Sequence, residues 1–415
     1  LIMITKPKGT LDFLPDDAFR RLHVEDKLRR VASVFNYREI RTPAFEKTEL
    51  FKRGIGEETD IVSKEMYSFD DGEFTLKPEM TAPVIRAYIE NSLYNVSAVQ
   101  KLYYISNMFR HERPQAGRYR EFSQFGAEVI GSGDYTADVD LISLGTTFLS
   151  EFGLKNLKIK INNIGNLAER KTYLEDLKKY LSDYTPHLSS ESHRRLFTNP
   201  LRILDSKDPR DIEIVKNAPV ILEYLGPENK EHFRNVLSGL ESLGIGYEID
   251  HTLVRGLDYY TSTTFEIASD DLGAQNAVLG GGRYDMLVQQ LGGKPTPAIG
   301  FACGLERLTL VLQANKYDFP ENESPAIYIV SAGDEAKKKS LILANKLRVN
   351  GITCETDLLG RSIKAQMKDA NRLNAKYVTV IGDDEIKTGK VKIKRMSDGS
   401  EQETGIGEIK NYNFI

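Results

Sequence analysis

Residues 102–131 read LYYISNMFRHERPQAGRYREFSQFGAEVIG, two strand-like runs around a turn carrying Pro114 and Gly117. This is the pattern of a hairpin with a long loop. Four arginines, Arg110, Arg113, Arg118 and Arg120, crowd around that loop. On the return run, period-two alternation puts Phe122, Gln124, Gly126 and Glu128 on one face and Phe125, Ala127 and Val129 on the other. The second face is core. The first joins an aromatic plate, a gap without side chain, an amide and a carboxylate, which suits either an amphipathic edge or the wall of a polar-ligand site. With arginines beside it, whose planar forks match phosphate oxygens, the face points to an anionic ligand with a stackable base.

Around this hairpin, strand-like runs at 38–41, 74–77, 263–268 and 299–302 alternate with helical stretches. They lack the regular strand–helix rhythm of a parallel sheet, so the expectation is an α+β domain with a mostly antiparallel sheet. Phe19, Leu22, Leu28, Val31, Val34 and Phe35 predict a helix over about 17–36, with Asp16 and Asp17 as its caps. From about 166 to 235 the chain is rich in Lys, Glu, Asp, Ser and Leu at helical spacing and carries no chemical motif, as expected of a helical insertion. After the linker-like Pro320-Glu321-Asn322-Glu323-Ser324-Pro325, strands at 327–330, 352–355, 377–381 and 391–394 and helices at about 334–349 and 361–374 predict a small α/β domain. The expected division is therefore 1–322 and 323–415.

The 415 residues, 40% of them apolar, exclude a disordered or collagen-like chain. No apolar run approaches the roughly 20 residues a bilayer needs, and Lys6 interrupts the N-terminus before a signal-peptide core could form. Cys303 and Cys354 suit neither a disulfide framework nor a zinc site, and the expected compartment is the cytoplasm. The six histidines show no metal-ligand spacing. From Ser324 onward 16 Lys and Arg face 12 Asp and Glu, against 40 and 48 before it, so a modestly basic tail follows an acidic body. No phosphate loop or dinucleotide fingerprint is present, so any ATP would be held by another device.

Phe109-Arg110-His111-Glu112, with Gly117-Arg118 and Phe122, resembles motif 2 of the class II aminoacyl-tRNA synthetases, and Gly300–Arg307 (GFACGLER) resembles their motif 3. Leu253–Tyr260 (LVRGLDYY) and Gly280–Asp285 (GGGRYD) resemble the signature pair of the histidyl-tRNA synthetases. The resemblance spans the chain, from Pro7-Lys8-Gly9-Thr10 through a motif 1-like region at Pro43 to a tail similar to the family's anticodon-binding domain, and is weakest in the insertion.

It implies that Arg110 holds the ATP α-phosphate, Glu112 the adenine amino group, Phe122 the adenine face and Arg307 the far end of the triphosphate, with Arg118 nearby. Arg255 would sit across the α-phosphate, close to the amino-acid carboxylate. Glu79, Thr81 and Gln124 would take the α-amino group, Glu128 and Tyr260 the two imidazole nitrogens, with Met80 and Tyr259 in the same pocket. A neutral imidazole has one donor and one acceptor, which a carboxylate and a phenol can read together. From the residues alone, Glu79 could equally cap a helix starting near Pro83, Tyr260 could be core, Arg255 could cap a turn, and Glu306 could pair with an arginine.

Lys77, Met80, Ser123 and Lys8 depart from the family pattern. The implied function is histidine–tRNA ligation by a homodimer, with ATP as substrate, Mg2+ carried by the ATP and no protein-only metal site. The alternative is a catalytically silent regulatory paralogue of the kind that partners an ATP phosphoribosyltransferase in histidine biosynthesis.

Overall fold

The computed structural model describes residues 3–56, 59–115, 117–154, 157–269 and 277–414. Residue 116 of the hairpin loop and the first two residues lie outside them. The chain forms two compact units, Leu1–Phe319 and Pro320–Ile415. No helix among the described residues is long and apolar enough to cross a membrane.

The first unit is built on an eight-stranded sheet in the order Arg38–Glu39, Gln100–Phe109, Glu121–Ile130, Ala298–Gly304, Ala277–Arg283, Thr261–Ser269, Leu157–Asn163, Glu248–Ile249. The six central strands pair antiparallel, and only the short edge strands pair parallel. The α+β class expected from the sequence is therefore the one observed. Phe125, Ala127 and Val129 enter a core on one face of the sheet together with Phe148, Phe265 and Phe301. The rings of Phe125, Phe148 and Phe301 meet at centroid distances of 5.3 to 6.0 Å. Each such buried ring stabilises the fold by about 1.5–3 kcal/mol.

The first helix runs Pro15–Val34, and its buried stripe is Val24, Leu28, Val31 and Ala32, whereas Leu22 and Val34 are exposed. Proline opens it without a side-chain cap. Asp16 and Asp17 lie in the first turn, where they favour the helix dipole rather than cap it. Helix Leu167–Asp183 begins on a capping box formed by Asn166 and Glu169. It opens a helical stretch that packs in a second core with Val254, Tyr259 and Tyr260 on the opposite sheet face. At helix Pro227–Ser242 the chain returns to the first core through Phe233, Val236 and Leu240.

The strand Ala277–Arg283 has no counterpart in the sequence expectations, because its three consecutive glycines look like a turn. Their register explains them. Tyr104, Gly126, Ala302, Gly280 and Glu266 align in one row across five strands. Leu102, Glu128, Gly300, Gly282 and Thr264 form the next. A Cβ on Gly126 would overlap the Tyr104 ring, one on Gly280 the Arg255 guanidinium and one on Gly300 the Glu128 carboxylate. The strands give up side chains at their centre so that larger ones can lie flat across it.

The second unit holds a five-stranded sheet in the order Cys354–Thr356, Ile327–Ser331, Tyr377–Ile381, Lys390–Arg395, Glu401–Gly405. Its first three strands are parallel and its last two antiparallel. Helices Asp334–Val349 and Ile363–Arg372 accompany it, the second capped by Ser362. The short helix Asp383–Thr388 and the final strand, polar throughout as Glu401-Gln402-Glu403-Thr404-Gly405, carry no hydrophobic period and escaped the sequence expectations.

Candidate active site

Above the glycine rows lies a cavity of about 770 Å3. One end is lined by Arg110, Glu112, Arg118, Phe122 and Arg307, the other by Glu79, Met80, Thr81, Tyr259 and Tyr260, with Gln124 and Arg255 also on its wall. Among the described residues, no group of three or more His, Cys, Asp or Glu side chains is placed to hold a metal.

At the arginine end, the long hairpin delivers Arg110 over the Phe122 ring, 5.2 Å from its centroid. Nε of Arg110 donates to the Pro78 carbonyl at 2.8 Å. Arg118 meets Glu112 at 3.6 Å, and Arg307 donates Nη1 to the Ala277 carbonyl at 3.0 Å. Burial, then the charge of Arg118, pull the Arg307 pKa below the ordinary arginine value. An anion between these guanidinium groups would relieve that repulsion. Glu306 accepts from the Ser123 main-chain N–H at 3.1 Å and pairs with Arg21 at 3.4 Å. It thus fastens helix Leu305–Ala314 to the hairpin, the arginine-pairing option of the sequence analysis. The Ser123 hydroxyl turns to Asn107 at 2.8 Å.

At the opposite end, Glu79 accepts from the main-chain N–H groups of Thr81 and Ala82 at 2.8 and 2.9 Å, so it caps helix Thr81–Glu90 while lining the cavity. The helix starts at Thr81, two residues before the position expected. Met80 is buried, its sulfur accepting from the Thr42 hydroxyl at 3.4 Å. Lys77 is also buried, and its Nζ lies 3.4 Å from the Thr42 carbonyl.

Glu128 is the site residue that the structure does not bring to the cavity wall. It is fully buried, with Oε1 accepting from the Thr81 hydroxyl at 2.9 Å and Oε2 from the phenol of Tyr284. Burial, with the nearby charge of Glu79 acting the same way, pushes its pKa up to about 8 despite these two donors. Tyr284 belongs to the Gly280–Asp285 signature, which by itself assigns it no role. Its ring packs 5.6 Å from that of Tyr259, which lies 4.6 Å from Tyr260.

Arg255 extends over Gly280 and binds Glu266 at 2.5 Å, with its guanidinium 5.6 Å from the Tyr260 ring centre. Burial opposes its charge, but Tyr260 and Glu266 outweigh burial and keep its pKa raised. Its Nε is buried and has no hydrogen-bond partner among the described residues. Glu266 and Tyr104 escaped the sequence analysis. The signal for Tyr104 was present in the hairpin, where alternation places an aromatic ring opposite Gly126.

A family model described as Histidyl-tRNA synthetase matches residues 9–308, and one described as Anticodon binding domain matches residues 326–412. A Histidine--tRNA ligase of Caldanaerobacter subterraneus subsp. tengcongensis is 47% identical over 98% of this chain and 99% of its own. One of Clostridium perfringens is 49% identical over the same shares. The crystal structure of apo S. aureus histidyl-tRNA synthetase superposes with a TM-score of 0.83 at 38% identity, covering 100% of both chains. Matched in sequence along nearly its whole length and in fold throughout, the chain belongs to the histidyl-tRNA synthetase family.

Proposed function

We propose that the cavity holds ATP at its arginine end and histidine at its tyrosine end, with Arg255 between them. The activity is that of a histidine–tRNA ligase, an aminoacyl-tRNA ligase. A histidine carboxylate oxygen bonds to the α-phosphorus while the bond to pyrophosphate breaks. A hydroxyl of the tRNA's terminal ribose then attacks the acyl carbon and releases AMP. The first step concentrates negative charge on a crowded phosphate, which fixed guanidinium groups stabilise without reorganising. Arg110 and Arg255 flank the α-phosphate, Arg307 and Arg118 take the outer phosphates, Phe122 stacks on the adenine and Glu112 accepts from its amino group.

Glu79, Thr81 and Gln124 receive the α-amino group, and Glu128 with Tyr260 reads the imidazole. Turning the Thr81 hydroxyl aside exposes Oε1 of Glu128 to an imidazole N–H, a donor that offsets the cost of the buried carboxylate. Mg2+ arrives with ATP and is held chiefly by phosphate oxygens. The protein acts in the cytoplasm as a homodimer. The motif 1-like region around Pro43 supports the dimer, with Phe45 49% exposed beside it.

The observation that carries this reading is the part-buried guanidinium of Arg255, laid over a glycine, whose buried Nε has no hydrogen-bond partner among the described residues. A catalytically silent regulatory role is not favoured, since ligase relatives match the chain through its C-terminal unit. ATP–pyrophosphate exchange with each amino acid in turn tests the reading: exchange with histidine alone is expected, and exchange with none, or with another amino acid, contradicts it.

A further inference from the structure

The segment Arg255–Tyr260 is a loop, yet it must present a guanidinium and two phenols to one cavity. Its own main chain supplies little support: Asp258 N–H donates to the Ile55 carbonyl at 3.1 Å. The helical insertion adds a grip of its own, and it falls on both ends of the segment.

At the first end, the corner between helices Ser190–Thr198 and Leu201–Leu204 enters the cavity wall. Asn199 donates Nδ2 to the Asp258 carboxylate at 3.3 Å. Arg202 lies over Gly256, where a Cβ would start 3.3 Å from Nη1. Burial lowers the Arg202 pKa, while the charges of Asp205 and Asp60 act to raise it. Leu196, Ile203 and Leu204 pack in the same core as Val254, Tyr259 and Tyr260.

At the second end, Arg170 of helix Leu167–Asp183 donates Nη2 to the Tyr260 carbonyl at 2.5 Å and to that of Gly165 at 3.2 Å. The N–H of Ser262 donates to the Gly165 carbonyl at 3.1 Å, and the N–H of Ile164 donates to the Ser262 carbonyl at 2.8 Å. Arg170 and Asn199 thus hydrogen-bond Tyr260 and Asp258, and Arg202 packs against Gly256.

We infer that the insertion positions the histidine-reading segment, with Arg170, Asn199 and Arg202 as positioning residues for amino-acid activation itself. The inference rests on the proposal that Arg255–Tyr260 reads histidine. It gives the insertion a duty in the half-reaction that needs no tRNA.

The test is ATP–pyrophosphate exchange by the full chain without tRNA, comparing Arg202→Ala, Arg202→Lys and Asn199→Ala, with Arg255→Ala alongside and thermal unfolding of each. Arg202→Ala is expected to raise the histidine KM on the order of tenfold, since displacement of a binding group by about 1 Å can cost as much as 10²-fold. The ATP KM stays unchanged, Asn199→Ala gives a smaller shift in the same direction, and Arg202→Lys recovers part of the loss. An unchanged histidine KM in both alanine variants overturns the inference, as does an equal rise of the histidine and ATP KM. Loss of tRNA charging with intact exchange also overturns it, because the arginine then serves the nucleic acid. An unaffected Arg255→Ala would instead remove the underlying reading.

Discussion

Behind one end of the cavity Glu128 is sealed from solvent with both oxygens bound inside the protein, while at the other the Arg118 side chain is 41% exposed and meets Glu112 across 3.6 Å. The first arrangement is rigid and dry, which makes an unmatched polar group costly and suits the choice of one side chain among twenty. The second is open and adaptable, which suits a highly charged substrate whose own phosphates supply much of the order. Arg255 is intermediate, part-buried beside the Tyr260 ring and paired with Glu266.

The largest effect that could break this comparison is at the sealed end. Glu128→Ala should lower kcat/KM for histidine by about 10⁴, the discrimination typical of sites that hydrogen-bond their substrate. Steady-state exchange measures it, and histidine affinity that survived would contradict the reading. Gly280→Ala tests the glycine floor, since its Cβ must displace the Arg255 guanidinium. A loss in kcat of about 10² is expected, with histidine still bound.

At the open end, Glu112→Ala should raise the ATP KM several-fold with little change in melting temperature, because an ion pair as long as 3.6 Å, with the Arg118 side chain open to solvent, contributes at most about 1 kcal/mol. The smallest effect concerns pH. With its pKa raised to about 8, folded Glu128 binds a proton that the unfolded chain has already released. The ligand-free protein therefore loses this stability as pH rises from the ordinary carboxyl range through about 8. Glu128→Gln should flatten the decline of melting temperature between pH 6 and pH 8. Glu79 and Glu306, also raised by burial, leave a residual slope of the same sign.

Much of this was legible in the sequence where a period or motif lay within a few residues. The alternation at Phe122–Val129 fixed which face of one strand is core and the turn at Pro114 and Gly117 announced the hairpin, while its register came from the structure. The strand Ala277–Arg283 was not legible, because its glycines answer to Arg255, Phe301 and Tyr260 rather than to any local preference. The double duty of Glu79, cap and cavity wall, needed coordinates to appear. So did the hold of Asn199 and Arg202 on a loop more than fifty residues away, since no spacing rule connects them.

The most direct test of the account is Arg255→Ala, with single-turnover adenylate formation and equilibrium histidine binding measured on the same preparation. The account predicts a rate lower by about 10²–10³, the usual cost of one transition-state donor, with histidine affinity little changed. An unchanged rate would contradict it.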